Sequence, residues 1–427
     1  IKRIKYGALI HALILIFIIW AYALITGLSP SVSRAATMFT FISIGGIMNR
    51  KTSTYNSLAA SAFVLLITNP FLLFHIGFQL SYLAVLSILF LQPHLSSIVD
   101  SRIWIFKKSR DLVAVSIAAQ LGTFPLAIYY FHQFPNYFII TNLIVIPLSF
   151  TILIAGFASI FVFIIGLGKT IVGWAITQVL YYLLWILNTS MDWINKFPLA
   201  VSRNLYFSEI DTVLVYLIII FFSLSLIYKK YKYIIVVFVS FIILFGSNTW
   251  LRYQAASSSS LTVYHIPKST VIELSYKEES TLFIDSLLML DTEGLDRYII
   301  EYHLHKRIKK KKYFNIDRIQ ESQATNYSFA NNVLLFNNQS FLIVDGFNLL
   351  PNDTVATKFD YVLFRNNPNL SMQTLTSKVD FEMILFDGSN SYWKISKWQQ
   401  QCADLGLASW NLKEKGAFVI NAPLLPK

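Results

Sequence analysis

The chain has 427 residues, of which 55% are hydrophobic, 16% aromatic and only 14% charged. Its mean hydropathy of +0.54 excludes an ordinary soluble globular protein and indicates a membrane protein. The formal net charge of +12 invites a nucleic-acid interpretation, but residues 1–248 hold 16 basic against 5 acidic side chains, and residues 249–427 hold 19 against 18. The excess is therefore expected from basic membrane loops. The single cysteine, Cys402, excludes an intrachain disulfide.

Apolar segments long enough to cross a hydrocarbon core of roughly 30 Å recur through the first 248 residues. They predict a polytopic helical bundle of about nine spans, at 7–27, 31–48, 55–69, 72–92, 111–131, 137–166, 170–194, 210–228 and 232–248. The sixth segment is too long for one straight span and contains Pro147. It predicts either a kinked helix or a crossing followed by a re-entrant segment.

The basic residues predict the orientation of these spans. With the N-terminus in the cytoplasm, every inner connection carries lysine or arginine, for example Arg50, Lys51 and Lys108. Nine spans from that start place residues 249–427 outside the cytoplasm. The chain begins with Ile1, and no cleavable signal segment precedes the first span, so we expect it to be part of a longer protein. The outer ends hold four basic residues: Arg34, Lys196, Arg203 and Arg252.

Residues 249–427 have a different pattern, in which short strand-like runs alternate with turns rich in Asn, Ser, Gly and Pro. Two amphipathic helical segments lie near 291–304 and 391–405. The pattern predicts an α/β sandwich of ordinary domain size. The strand-like runs lie at 261–266, 270–276, 281–287, 331–338, 339–347, 359–365, 381–388 and 416–422.

Three motifs in the membrane part carry a resemblance to a known family. They are GLSPSVSRAATMFTFISIGGIMNR at 27–50, NPFLLFHIGFQLSYLAVLSI at 69–88 and AAQLGTFPLAIYYFHQFPNYFIITNLIVIPL at 118–148. In this order and spacing they resemble the competence domain of the ComEC family. The resemblance implies a cell-membrane channel that moves single-stranded DNA into the cytoplasm during natural transformation. It also implies a lipid bilayer around the chain, and as further partners a DNA receptor and a cytoplasmic ATPase or single-stranded-DNA-binding protein.

Arg34 is the first candidate for the DNA path. Ser29 and Pro30 predict a helix start at the outer surface, which puts Arg34 about one turn inside the membrane. The guanidinium can reach back to lipid headgroups, or face the bundle interior and contact phosphate. Small and hydroxylated residues including Thr37 form a stripe beside it, which fits close helix packing or a water-filled passage. The family resemblance favours the passage.

Polar residues in three later spans are further candidates. Gln79, Gln120 and Asn142 each fit an ordinary hydrogen bond between helices, which is the commoner role of a single polar residue in a span. Together they could instead form a polar core that accepts a nucleic-acid strand. Tyr82 offers an aromatic surface for a base, although tyrosines are also common at membrane interfaces.

A basic run in EYHLHKRIKKKK is the densest charge of the second domain. It fits either a solvated loop or a sequence-independent phosphate contact that feeds DNA to the membrane part. The run consists of Lys306, Arg307, Lys309, Lys310, Lys311 and Lys312.

The second domain resembles the metallo-β-lactamase-like domain of the family, whose active members hold two metal ions through histidine and aspartate clusters. Asp285 and Asp345 match aspartates of that pattern, but Arg365 and the two asparagines after it stand where the family has a histidine pair and glycine. His303 and His305 are too few for a dinuclear site, and we expect them to be exposed. The resemblance thus implies a retained fold with no catalytic residues, no metal and no cofactor.

Two alternatives of other classes remain open at this stage. One is a membrane-anchored, metal-dependent nuclease with a diverged site, which the missing histidines disfavour. The other is an unrelated polytopic transporter, which the ordered motifs disfavour. The sequence contains no GxxxxGK[ST] phosphate-binding loop, so energy for transport is expected from a partner or a gradient.

Overall fold

The structure is a computed structural model that describes residues 7–47, 53–98, 103–319, 321–324, 327–346 and 358–423. It divides into two compact units, Ile1–Leu244 and Phe245–Lys427, and each is described by itself. The N-terminal residue Ile1 and the loop residues Arg50 and Lys51 lie outside the described residues.

The described part of the first unit is helical, as the apolar segments predict. A β-ribbon of two three-residue strands, β1 (Gln133–Pro135) and β2 (Val201–Arg203), pairs the loops that follow α5 and α7. The helices are α1 Gly7–Ile25, α2 Pro30–Ile47, α3 Thr54–Thr68, α4 Ile76–Ser96, α5 Trp104–Phe131, α6 Phe138–Ile164, α7 Ile171–Asn195, α8 Glu209–Tyr228 and α9 Lys232–Ala256.

Six described helices, α4 to α9, are long and apolar enough to cross a membrane. The prediction of nine spans is therefore not confirmed. Helices α1 and α3 are apolar but offer fewer than 18 described apolar residues each, and α2 is interrupted by serine, threonine, arginine and glycine. The prediction is based on the apolar residues within each sequence window. A membrane crossing requires those apolar residues to lie on one uninterrupted helix of sufficient length.

The sixth segment forms one continuous helix, α6, with Pro147 in its interior. The alternative of a crossing followed by a re-entrant segment is therefore wrong. Proline removes one backbone donor and leaves a carbonyl of the preceding turn without its usual partner. Here that carbonyl belongs to Leu143. Thr151, one turn after the proline, donates its hydroxyl to the carbonyls of Pro147 at 3.2 Å and Leu148 at 2.8 Å, so this polar side chain is satisfied within its own helix.

Helices α4 and α5 pack closely around Gly122. A Cβ atom at this glycine would lie 2.5 Å from the Cβ of Ser87, so the contact requires the absence of a side chain. The Ser87 hydroxyl donates to the carbonyl of Ala118 at 2.6 Å across the same contact. Tyr216 of α8 donates its hydroxyl to the Gly122 carbonyl at 2.9 Å. Small residues and hydroxyls thus join three apolar helices where no hydrophobic effect drives them together.

The second unit is an α/β sandwich, as the strand-like runs predict. Its seven-stranded sheet has the order β13-β12-β11-β10-β9-β8-β7 and its five-stranded sheet the order β14-β3-β4-β5-β6. The strands are β3 Ser258–Ile266, β4 Ser269–Tyr276, β5 Glu279–Ile284, β6 Lys310–Asn315, β7 Glu321–Ala324, β8 Tyr327–Ala330, β9 Val333–Phe336, β10 Gln339–Asp345, β11 Lys358–Arg365, β12 Asp380–Phe386, β13 Ala408–Asn411 and β14 Phe418–Pro423. The helices are α10 Thr292–His305, α11 Met372–Thr376, α12 Tyr392–Asp404 and α13 Leu412–Lys415.

Three buried clusters hold the layers of this sandwich together. Leu261 and Leu363 belong to a cluster between the two sheets. Phe364 and Trp398 belong to a second, between the seven-stranded sheet and helices α11 and α12, and Ile299 of α10 belongs to a third on the outer face of the five-stranded sheet. The central strands are therefore buried on both faces, which explains why they read as continuous apolar runs and not as alternating ones.

Candidate functional site

The first candidate site lies where helices α2, α3 and α4 meet. Arg34 of α2 donates from Nε to the hydroxyl of Ser81 on α4 at 2.6 Å, and its guanidinium carbon lies 5.9 Å from the ring centre of Tyr82. The Tyr82 hydroxyl forms a 2.9 Å hydrogen bond with Ser61 of α3. The Arg34 side chain thus contacts a neighbouring helix of the unit.

The charge of Arg34 is not neutralised within the described part of the chain. Its contacts are a hydroxyl and an aromatic ring, and no carboxylate of the described residues lies within 4.0 Å of it. The residue is only half-buried. An arginine in apolar surroundings with neutral partners retains the capacity to bind an anion.

The hydroxyl stripe beside Arg34 is used for packing. Thr37 is buried and donates to the carbonyl of Ser33 at 2.8 Å, and Thr40 receives a hydrogen bond of 3.1 Å from the indole of Trp20 on α1. These hydroxyls have partners inside the helix or on its neighbour. Within the described residues the stripe therefore has the form of a close helix contact.

The structure separates the three polar candidates of the later spans. Gln79 accepts from the hydroxyl of Tyr130 at 3.1 Å and donates to the carbonyl of Leu73 at 2.9 Å. Gln120 and Asn142 form no side-chain hydrogen bond to any described residue and are half-buried. Gln79 is thus joined to α5 through a tyrosine, and the three side chains are not brought together by direct contacts.

The second candidate site lies at one end of the sandwich, where strands of both sheets finish. Asp345 and Arg365 end the parallel neighbours β10 and β11 in register, and Asp387 follows β12 by one residue. In the other sheet, Asp285 follows β5 and Asp317 lies two residues beyond β6, which run parallel. Because the carboxyl ends of parallel strands share an edge, four aspartates and one arginine converge there.

Arg365 is the centre of this cluster. It is 1% exposed, and its guanidinium lies 2.6 Å from a carboxylate oxygen of Asp317 and 2.9 Å from one of Asp345. Its Nε donates to the hydroxyl of Thr270 at 3.2 Å. Asp285 accepts from the backbone N–H groups of Thr270 and Leu288 at 3.1 and 3.2 Å. These three carboxylates thus contact the guanidinium of Arg365 or accept hydrogen bonds from backbone N–H groups of the domain.

The pKa values of two aspartates in this cluster are shifted in opposite directions. Burial alone would raise the pKa of Asp317, but hydrogen bonds from Ser286 and Arg365 outweigh it and hold the pKa below its usual range. Burial raises the pKa of Asp387 to about 6, against the hydrogen bonds from Ser389 and Thr270 and the charge of Arg365. The hydrogen bonds and the charge of Arg365 together therefore outweigh burial at Asp317 but not at Asp387.

The residues at this edge do not fit the metal ions that the family resemblance implies. Two ions would require several imidazole or carboxylate ligands with free lone pairs facing one space. Here the guanidinium of Arg365 lies between Asp317 and Asp345, and the described residues contain no group of three or more His, Cys, Asp or Glu side chains that could hold a metal ion. The cation that neutralises these aspartates is the guanidinium of Arg365.

The expectation that both histidines of α10 are exposed is wrong for His303. This side chain is 3% exposed, and its Nε2 lies 2.8 Å from a carboxylate oxygen of Glu273. Glu273 is fully buried and also accepts from Tyr264 and Ser280 at 2.5 Å each. The amphipathic helix turns this histidine toward the five-stranded sheet, where a strand residue distant in sequence supplies its partner.

Half of the basic run lies on an edge strand and not in a loop. Residues 310–312 belong to β6, which pairs with β5. Lys309 and Lys310 lie 2.7 and 3.2 Å from carboxylates of Glu278 and Glu279, and Lys311 lies 2.6 Å from Asp296. The remaining partners are Glu279 for Lys312 at 3.9 Å, Asn421 for Lys306 at 3.4 Å and Asn248 for Arg307 at 2.8 Å. Most of the charge in this run is therefore matched by acidic neighbours.

Sequence reasoning missed several residues of both sites. Asp317 and Asp387 were not selected, although each lies within two residues of a strand end, and that position was the available signal. Ser81 and Ser61, which join Arg34 and Tyr82 to neighbouring helices, gave no signal because single serines are common in membrane helices.

These two units define a polytopic membrane protein that carries an α/β sandwich domain after its helical part. A family profile described as Competence protein matches residues 2–230, and one described as ComEC C-terminal domain matches residues 261–422. The chain belongs to the ComEC family, which confirms the resemblance and excludes an unrelated transporter.

One relative is "ComE operon protein 3" of Bacillus subtilis (strain 168), which is 34% identical over 137 residues. That match covers 32% of this chain and 17% of the relative, so the aligned part spans about a sixth of the relative's length. No solved structure matches the chain at a significant level.

Proposed function

We propose that this protein takes part in DNA uptake during natural transformation, as the membrane channel through which single-stranded DNA enters the cytoplasm. Family membership supports the process. The observation that carries the channel role is Arg34, a half-buried cation on a membrane-unit helix whose contacts are the hydroxyl of Ser81 and the ring of Tyr82.

A phosphate is the ligand that this geometry favours. The Arg34 Nε is bonded to Ser81, and the terminal nitrogens of the guanidinium remain to donate two parallel hydrogen bonds to an anion. The adjacent Tyr82 ring offers a face for a base of the same strand. Gln79, Gln120 and Asn142 lie on other helices and are proposed to contact the strand individually, and Thr37 to support Arg34 through helix packing.

We propose that the sandwich domain is not a nuclease. Arg365 holds Asp317 and Asp345 in ion pairs, and a metal ion would have to displace this buried guanidinium to reach them. The guanidinium of Arg365 is part of the chain and is always present, whereas a metal ion must be bound from solution. Replacement of the guanidinium by a metal ion is therefore unfavourable at ordinary metal concentrations. We therefore assign the domain a role in holding or guiding DNA.

We propose the cell membrane as the location, with the sandwich domain outside the cytoplasm. Six crossings from an inside start would leave this domain inside, so the proposal requires an odd number of further crossings among α1, α2 and α3. Alkaline phosphatase fused after residue 427 should be active, and fused green fluorescent protein should be dark. The opposite pattern would refute the orientation. A DNA receptor and a cytoplasmic ATPase or single-stranded-DNA-binding protein are the proposed partners.

The channel role is tested by transformation of cells that carry single substitutions. Arg34→Ala should lower transformation by at least about thirtyfold, because truncating one partner of a desolvated charge contact costs several kcal/mol. Arg34→Lys should retain part of the activity, since the charge survives without the planar fork. Asp192→Ala, which alters an exposed charge of α7, is the matched control.

Membrane content is measured by immunoblot for each variant. Normal transformation by Arg34→Ala at normal abundance would assign the arginine to lipid headgroups and refute the proposed path. A loss shared equally by Asp192→Ala would show a general sensitivity of the unit to charge removal and would also refute it.

A further inference from the structure

We infer that the sandwich domain binds single-stranded DNA through a surface formed by α12 and α13, and not through its densest basic run. This lysine–aromatic surface consists of Tyr392, Trp393, Lys394, Lys397 and Lys413. The inference rests on the proposed function, which makes single-stranded DNA the cargo, and adds the site at which the domain would hold it.

The lysines of this surface are free of acidic partners. Within the described residues, no carboxylate lies within 4.0 Å of the amino groups of Lys394, Lys397 or Lys413. Glu414 is adjacent to Lys413 in sequence, but it accepts from Gln399 at 3.1 Å. Lys309 and the lysines of β6 have carboxylates at 2.6 to 3.9 Å instead. Charge that is not already matched is the charge available to phosphate.

Exposed aromatic rings lie among these lysines. Tyr392 is 62% exposed and Trp393 64% exposed. The amino group of Lys413 lies 5.1 Å from the Tyr392 ring centre, and that of Lys394 lies 5.9 Å from the Trp393 ring centre. Large exposed rings beside cations are the elements that bind unpaired nucleotides, because the bases stack on the rings while phosphates approach the ammonium groups.

The surface is held in a fixed shape by loops at the end of the seven-stranded sheet. The backbone N–H of Ser391 donates to the side chain of Asn367 at 2.7 Å, and the N–H of Asn367 donates to Asn390 at 2.9 Å. Lys394 donates to the carbonyl of Asn367 at 2.7 Å. A groove beside these loops is lined by Leu370, Trp393, Lys397 and Gln401, among other residues. Little ordering is therefore needed when a ligand binds.

Single-stranded DNA fits this surface better than duplex DNA or a lipid bilayer. Stacked base pairs hide the ring faces that Trp393 would contact, so a duplex could use only the lysines. An anionic bilayer attracts lysines and aromatic residues as well, but it favours apolar side chains that project from a convex face. Here Trp393 borders a groove whose lining includes serine, asparagine and glutamine, and polar groups of this kind contact a strand better than they enter lipid.

The test uses the full chain in neutral-lipid nanodiscs and a fluorescent dT20 oligonucleotide, with affinity measured by anisotropy at several salt concentrations. Trp393→Ala should lower the affinity at least about fivefold, and Trp393→Phe should lower it much less, because stacking of one base is lost in the first case and retained in the second. Lys397→Gln with Lys413→Gln should reduce the slope of log affinity against log salt by about 1.4.

The matched control is Lys309→Gln with Lys310→Gln, which removes the same charge from lysines that are paired with glutamates. We expect it to change the affinity and the salt slope less than the Lys397 and Lys413 pair does. Equal effects of the two pairs would show that the domain attracts DNA only through net charge, and would overturn the inference. Unchanged binding by Trp393→Ala would overturn it as well.

Two further measurements separate the surface from its competitors and from the channel itself. An oligonucleotide with 5-iododeoxyuridine should cross-link to a peptide containing Trp393, and a cross-link elsewhere would refute the assignment. Quenching of Trp393 by brominated lipid, measured as the difference from Trp393→Phe, would assign the surface to the bilayer. Loss of transformation in Arg34→Ala together with normal dT20 binding by Trp393→Ala would refute this surface and leave the proposed channel intact.

Discussion

The two units of this protein each contain an arginine away from bulk solvent, and the two side chains have opposite surroundings. Arg365 in the sandwich is 1% exposed and has carboxylates at 2.6 and 2.9 Å. Arg34 in the membrane unit is half-buried and has a serine hydroxyl at 2.6 Å and an aromatic ring at 5.9 Å. The first arginine is paired with carboxylates of the domain, and the second has no carboxylate within 4.0 Å among the described residues.

This difference separates an arginine that stabilises the fold from one that, under the proposed function, remains available to an anion. A buried cation with two bonded carboxylates is costly to disturb, because removal of either partner leaves an isolated charge in a low-dielectric region. A half-buried cation with neutral partners is costly to keep without an anion, which is why charged residues in membrane segments indicate function. The surroundings of Arg365 are those of a structural residue, and the surroundings of Arg34 support the proposed binding role.

Removal of Arg365 should have the largest effect on stability. Arg365→Ala leaves Asp317 and Asp345 without their cation, and we expect the domain to lose about 3–5 kcal/mol of unfolding free energy. Proteolysis of the full chain in detergent, followed by mass spectrometry of peptides from residues 258–423, measures the loss. Arg318→Ala, which removes an exposed arginine adjacent to Asp317 in sequence, is the control. Equal protection of Arg365→Ala and the wild type would show that the ion pairs are not needed for the fold.

A smaller, pH-dependent effect should come from Asp387. Its folded pKa of about 6 lies above the ordinary value of 3.8, so its contribution to stability is fully present below pH 3.8 and is lost as the pH rises through 6. The lowered pKa of Asp317 has the opposite effect on stability. Its contribution to the free energy of unfolding is lost as the pH falls below the ordinary pKa of an aspartate. The contribution of Asp387 is on the order of 3 kcal/mol at most.

Asp387→Asn should therefore remove the decline in proteolytic protection between pH 4 and pH 6, because the amide does not titrate. Asp360→Asn is the comparison, since it changes an aspartate of β11 that lies outside the cluster and accepts from Ser340 at 2.7 Å. A decline that persists in Asp387→Asn would assign the pH dependence to other groups and weaken the conclusion that burial outweighs the hydrogen bonds and the charge of Arg365 at Asp387.

The orientation of Arg34 should depend on Ser81. Ser81→Ala removes the hydrogen bond to the arginine, and we expect transformation to fall roughly tenfold, which corresponds to about 1.4 kcal/mol. Ser87→Ala removes a different hydroxyl from the same helix, one that bonds to the carbonyl of Ala118. Equal transformation by the two variants would mean that Ser81 does not orient Arg34.

The smallest expected effect is that of a metal chelator. EDTA should leave the proteolytic protection of residues 258–423 unchanged, and the purified chain should contain less than stoichiometric zinc or manganese and degrade no DNA, because the guanidinium occupies the ligands a metal would need. A tightly held ion together with nuclease activity that Asp285→Ala abolishes would contradict this expectation and would favour the diverged nuclease.

The sequence by itself determined where most elements lie. The described helices begin and end within a few residues of the predicted spans, except that α5 begins seven residues earlier and α9 extends eight residues beyond the prediction. The strand-like runs and both amphipathic helices are present in the sandwich. These features follow from apolar windows, proline and turn residues, which act through neighbours in the chain and are visible in a local stretch.

Only the tertiary structure decided which charges are neutralised. Arg365 is paired with Asp317, which lies 48 residues earlier, and Lys311 with Asp296, 15 residues earlier. His303 was expected at the surface but bonds to Glu273 across a sheet contact. Whether a cation is free depends on which oxygens lie within a few ångströms in the folded chain, and a linear pattern contains no such distance. Four cations of the densest basic run thus proved to be paired with carboxylates, while Lys394, Lys397 and Lys413 have no carboxylate partner among the described residues.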